Sequence, residues 1–408
     1  MFTLLYFIVV YFCSIPNEPQ KLTYLGSKTP YRFIENNNVT EPKFEGCVPT
    51  KVWMILRHGT RNPTAKLIKQ MKEDLRMIRD EILLYSDLNR YQREALKTWQ
   101  IRLNTNDANT LAEEGKLEMF LLARRMQKRF PSMFPLTYSN QTYSFKLTET
   151  ERTMTSAFEF ARGLFGHEES KNVYYNFYKY CKKWQVHVKN NPETLKEKQM
   201  FDNGFVMSSA VNDFNNNLKL RTPLNKELIG LIYTTCSFET AWNVRRSVWC
   251  YFLSLEFIKL LEFSSDLENY YMDGYGYEIT YEQACPLFVD MINHFSSKDD
   301  APTTALHFTH SGTILKFLAH LGLYKNDHPL KHTDYENNTN KWRQSYIGTF
   351  SSNLAMVKYT CRDGDKVAVF HQERVVKLPN CTELCSFDDI KKLYQKSIKC
   401  QFKEICKV

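Results

Sequence analysis

The sequence predicts an α/β fold: a central sheet flanked by helices, with an inserted, mainly helical lobe. Three observations carry this reading. The run "VWMIL" at 52–56 is continuously apolar, as a strand buried on both faces must be. It leads through a glycine-containing loop into "AKLIKQMKEDLRMIRDEILL", where apolar residues recur at helical spacing. The same order returns as "TALHFTH" followed by "SGTILKFLAHLGL", and two strand–loop–helix units imply helices packed on a sheet.

Taken in chain order, the opening stretch "MFTLLYFIVVYFCS" is apolar but too short to span a bilayer, and polar "NEPQ" follows. It reads as a secretory signal over about residues 1–14. After the first strand and helix, Thr110 to Phe130 reads as a second long helix with Thr110 as its cap and Pro131 as its stop. From 165 to 285 the pattern is helical and rich in Tyr, Phe, Trp and Lys, with no βα alternation, which marks the inserted lobe. Residues 15–164 and 286–408 then form one discontinuous α/β domain. Within the insert, "GYGYE" at 274–278 reads as aromatic packing at a turn. Gly322 marks the end of the later helix. The segment from Cys381 onward is short and cysteine-rich, as expected of a tail strapped to the body.

The chain has 408 residues, 43% of them hydrophobic, enough for a sizeable core and two lobes. Lys plus Arg number 54 against 45 Asp plus Glu, a surplus that favours anionic ligands if it converges on a cleft. No basic block alternates with aromatics, which argues against a nucleic-acid surface. No later apolar run is long enough for stable membrane insertion. Of the 11 Cys, ten remain once Cys13 leaves with the signal, and an even number in a secreted chain reads as disulfides. Cys381 with Cys385, Cys400 with Cys406, and Cys236 with Cys250 are spaced for local loops; the other pairings are open. Glycosylation sequons stand at Asn38, Asn140, Asn337 and Asn380. The ending "EICKV" carries no reticulum-retention signal.

The chemistry concentrates in "KVWMILRHGTRNPT", Lys51 to Thr64. Ligands of open α/β sheets bind where strands end and loops lead into helices, and Arg57, His58 and Arg61 occupy such a place. Arg presents a planar fork of donors matched to phosphate oxygens. A neutral imidazole between two of them can attack phosphorus, and the resulting phosphohistidine splits one hard displacement into two easier ones.

Arg57-His58-Gly59-Thr60-Arg61-Asn62-Pro63 resembles the Arg-His-Gly-x-Arg-x-Pro signature of the histidine acid phosphatases, the phytase-like branch of the histidine phosphatase superfamily. The blocks "TLAEEGKLEMFLLARRM", "TETERTMTSAFEFARGLFG", "CSFETAWN", "DLENYYMDGYGYEITYEQACPLFVDMINHF" and "HFTHSGTILKFLAHLGLY" are similar, in order, to those of its inositol polyphosphate phosphatase branch. The resemblance implies a phosphoglycerate-mutase-like central sheet and a phosphomonoester hydrolase that needs no metal or cofactor. Its partner would be a small phosphorylated substrate such as an inositol polyphosphate. It implies His58 as nucleophile, Arg57, Arg61 and Arg152 as phosphate ligands, and His310 as a second imidazole against the phosphate.

One member of that set is missing. The family places an acid just after the second His, His-Ala-Glu in the inositol polyphosphate branch, whereas this chain has His310-Ser311-Gly312 and no Asp or Glu from Thr303 to Asn326. A positioned general acid contributes roughly 10²–10⁴-fold. Two functions follow: a secreted phosphatase whose leaving-group donor lies elsewhere, or a weakened paralogue that binds and sequesters polyphosphorylated ligands. A phosphoglycerate mutase relative sharing only Arg-His-Gly is disfavoured by Arg61, Pro63, the signal and the cysteines. His307, His320 and His371 read as structural. Lys66, Lys69 and Lys72 lie at a spacing of three on one helix face, which fits either an entrance for a charged substrate or a solvated surface. Oligomeric state is left open.

Overall fold

The computed structural model describes residues 22–167, 180–244, 247–297, 301–337 and 339–408. The predicted signal over 1–14 lies outside the described residues. Strands β1 (Cys47–Arg57), β2 (Tyr143–Leu147), β3 (Thr304–Thr309), β4 (Asn353–Cys361), β5 (Gly364–His371), β6 (Arg374–Val376) and β7 (Leu384–Ser386) form one mixed sheet. Its order is β2-β3-β1-β4-β5-β6, with β7 also on β5. β1 and β3 run parallel, as do β2 and β3, while β4 and β5 return antiparallel.

The continuous apolar run of β1 is explained by the two cores it serves. Successive side chains of a strand point to opposite faces. Val52, Met54 and Leu56 enter a core built with the helices Glu113–Arg129 and Glu151–Phe165. Trp53 and Ile55 enter a larger core shared with the helices Ala65–Tyr85, Lys226–Ala241, Leu255–Asp273, Cys285–Ser296 and Ser311–His320. In Ala65–Tyr85 the buried residues Ile68, Met71, Leu75, Ile78 and Ile82 keep steps of three and four, and Thr64 caps the first turn by accepting from the Leu67 amide.

Two sequence expectations are corrected. The second long helix begins at Glu113 with Ala112 before it, not at a Thr110 cap. Leu111 instead bridges to Arg61 in extended backbone, the Ala112 amide donates to the Thr60 carbonyl, and the Thr110 hydroxyl donates to the Asp107 carbonyl. Helical propensity at 110–112 yields to pairing with the loop after β1. Nor do Cys400 and Cys406 join each other: Cys400 pairs with Cys285 and Cys406 with Cys181. Both bridges tie the tail to the helical region, which no reading of spacing can choose. Cys236–Cys250 and Cys381–Cys385 form as expected, and Cys47–Cys361 joins β1 to the end of β4. Among the described residues no helix is long and apolar enough to cross a membrane.

Candidate active site

Register brings the two histidines together. Arg57 of β1 lies opposite Thr309 of β3, and the His58 amide donates to the Thr309 carbonyl at 3.0 Å. His58 and His310 therefore leave the carboxyl ends of adjacent parallel strands side by side, with ring centroids 5.6 Å apart.

His58 is buried, and its Nδ1 stands 2.8 Å from the Gly59 carbonyl. A carbonyl can only accept, so Nδ1 carries the proton and Nε2 keeps its lone pair. Burial, and after it the Arg57 guanidinium, hold the His58 pKa well below the ordinary histidine value, with smaller pushes from Arg61 and Arg152. The ring is thus neutral, with its unprotonated Nε2 fixed in place by the single Nδ1 hydrogen bond, an arrangement that can act as a nucleophile.

His310 directly follows β3 and immediately precedes the helix Ser311–His320. Its Nδ1 faces an Arg152 nitrogen at 3.4 Å and its Nε2 the Thr148 hydroxyl at 3.1 Å. Arg can only donate, which puts the His310 proton on Nε2. Burial first, then Arg152, lower its pKa to about 4.

The guanidinium groups converge from different elements. Arg57 donates to the carbonyls of Ser27 and Gly348 and lies 4.5 Å over the Phe350 ring. Arg61 sits over Phe238, and Arg152 comes from the first turn of Glu151–Phe165. Burial and then Arg61 work against the Arg57 charge; burial and then Arg152 work against that of Arg61. Buried Nε atoms of Arg57 and Arg152 and the buried Ser311 hydroxyl have no hydrogen-bond partner among the described residues. Concentrated like charge and unsatisfied donors are the chemistry of an oxyanion site.

Two residues that the sequence reading missed complete the arrangement. Lys28 lies over the same Phe238 ring as Arg61, and its pKa is lowered to about 8 by burial, then Arg61, then Arg57. It sits in a short "GSK" turn with no motif to mark it. Glu118 accepts from the Thr60 amide at 2.8 Å, the Thr60 hydroxyl at 3.0 Å, the Ser351 hydroxyl at 2.8 Å and the Tyr31 amide at 3.3 Å. Its signal was available: an acid between Gly115 and Leu122 on the buried face of a helix.

The remaining sequence candidates lie outside this pocket's machinery. His307 pairs with Asp290, His320 with the Tyr281 carbonyl and His371 with the Tyr324 hydroxyl. Lys66, Lys69 and Lys72 are exposed, with Lys72 reaching the Asn104 side chain. Asn38, Asn140, Asn337 and Asn380 are all exposed. In "GYGYE", Tyr275 packs on Trp342 with ring centroids 5.3 Å apart.

Residues 50–378 match the model of the histidine phosphatase superfamily, branch 2. The chain is 29% identical over 397 residues to multiple inositol polyphosphate phosphatase 1 of Drosophila melanogaster, covering 91% of this chain and 84% of that protein. To the Homo sapiens protein of the same name it is 27% identical, covering 97% and 92%. The fold matches the D. castellii phytase with a TM-score of 0.77 at 15% identity, covering 97% and 91% of the two chains. It matches the Bifidobacterium longum multiple inositol polyphosphate phosphatase in complex with inositol hexasulfate with a TM-score of 0.71 at 14% identity, covering 94% and 99%.

Proposed function

The chain belongs to branch 2 of the histidine phosphatase superfamily, and from that premise we propose that it is a secreted histidine acid phosphatase acting on inositol polyphosphates or other small phosphomonoesters through a phosphohistidine. The observation that carries the reading is the His58 ring: proton on Nδ1, lone pair on Nε2, held neutral in a cationic pocket. The relatives' names and the inositol hexasulfate complex of one structural neighbour support the substrate class.

Reaction follows from these parts. Arg57, Arg61 and Arg152 take the phosphate oxygens, with Lys28 adding charge at the rim of the set. His58 Nε2 bonds to phosphorus as the bond from phosphorus to the ester oxygen breaks, and that oxygen leaves with a proton. Water then attacks phosphorus, phosphate departs, and His58 regains its lone pair. His310 donates Nε2–H to Thr148, and its Nδ1, already facing Arg152, keeps that guanidinium turned toward the phosphate. Five disulfides and four exposed sequons support passage through the secretory pathway.

The test is phosphate release from inositol hexakisphosphate and from an aryl phosphate, by the wild-type protein and by His58→Ala. Release by the wild type that disappears in the variant is expected. Gly312 favours a second reading, in which the protein binds polyphosphorylated ligands without turning them over; tight binding of inositol hexakisphosphate with no phosphate release selects it.

A further inference from the structure

The family's acid is absent from position 312, yet a carboxylate occupies the space that its side chain would begin in. A Cβ built on Gly312 would lie 2.9 Å from Asp273 Oδ1 and 3.1 Å from Oδ2. Asp273 is the last residue of the helix Leu255–Asp273, an element remote in sequence from His310. We infer that Asp273 is the proton donor to the leaving oxygen, supplied from the helical region in place of the missing residue on the helix Ser311–His320; the inference rests on the phosphatase reading above.

Three further observations fix Asp273 where it is. The Lys316 ammonium, four residues beyond Gly312 on the same helix, pairs with its Oδ1. That ammonium also lies 4.1 Å over the Trp184 ring, whose Nε1 donates to the Met272 carbonyl at 3.3 Å. On the other side, a Cβ on Gly274 would lie 2.7 Å from the Trp342 ring, so the backbone after Asp273 is pressed against a buried indole. Lys316, on the helix that begins after His310, holds the Asp273 side chain against that segment.

While His58 Nε2 bonds to phosphorus, the departing ester oxygen takes the proton of the Asp273 carboxylic acid and leaves as an alcohol. In the second half, the Asp273 carboxylate takes a proton from the water that attacks phosphorus, and both groups return to their starting forms. Glycine at 312 is then a requirement rather than a loss, because any larger side chain there would displace the donor.

The experiment compares kcat for inositol hexakisphosphate with kcat for an aryl phosphate, whose leaving group barely needs a proton. Asp273→Asn keeps the shape and a hydrogen bond to Lys316. It is expected to slow the inositol substrate by roughly a hundredfold or more while the aryl substrate changes little. Asp273→Ala combined with Gly312→Glu is expected to recover inositol phosphate turnover. Unchanged inositol phosphate turnover in Asp273→Asn, an equal loss on both substrates, or a wild type that splits only the aryl ester each overturns the assignment of Asp273 alone. A wild type that releases phosphate from neither substrate overturns the phosphatase reading with it.

Discussion

Gly59 and Gly115 meet backbone to backbone: a Cβ on either would be driven into the other's segment, at the Gly115 carbonyl in one case and the Thr60 carbonyl in the other. This contact seats the loop that carries His58 on the helix Glu113–Arg129, close enough for Glu118, one turn further along, to collect the Thr60 amide and hydroxyl. Placement of the His58 ring therefore depends on two missing side chains as much as on the imidazole itself.

Gly115→Ala is expected to lower unfolding free energy by about 1–3 kcal/mol, as overpacking of a rigid contact does. It should also abolish most turnover by lifting the loop. Urea unfolding and phosphate release on the same preparation check this; wild-type values in both would mean that the contact relaxes.

Lys28 adds a fourth cation to Arg57, Arg61 and Arg152. Lys28→Met should raise KM for inositol hexakisphosphate more than for an aryl monophosphate and flatten the salt dependence of kcat/KM, because the lost charge acts mainly on additional phosphates. Equal KM changes on the two substrates would place Lys28 on the reacting phosphate itself.

The pH dependence has a definite sign. His58 is held well below the ordinary histidine value by burial and Arg57, so its Nε2 lone pair remains available as pH falls below 6.5. Aryl phosphate turnover is expected to persist at pH 5, with no acid limb near 6.5; a limb there in the pH profile of kcat/KM would show that the imidazole titrates normally. Arg152→Gln removes the second-largest cause of the low His310 value of about 4, so the His310 ring should protonate at higher pH in that variant, as nuclear magnetic resonance titration would show.

The tail from Cys381 is held to the helical region by Cys285–Cys400 and Cys181–Cys406. Replacing Cys285 and Cys400 together by Ser removes a bridge between residues 115 apart in sequence. It is expected to cost about 2–4 kcal/mol of stability, measured by thermal or urea unfolding, and to leave KM for the aryl phosphate unchanged.

What the sequence determined by itself was local and chemical. Continuous apolarity in β1, the three- and four-residue steps of Ala65–Tyr85 and the return of strand and helix around His310 set the α/β class, because each pattern has one cheap way to bury itself. Arg57, His58 and Arg61 were legible because they crowd one strand end and the loop that follows it; Arg152 and His310 came from resemblance. What only the tertiary structure decided were meetings between distant segments: the parallel register that sets His58 beside His310, Lys28 over Phe238, the long-range partners of Cys400 and Cys406, and Asp273 in the space above Gly312. Residues 273 and 312 are joined by no repeat, period or spacing. Their proximity is a product of how two helices pack, and packing is a property of the whole core rather than of either segment.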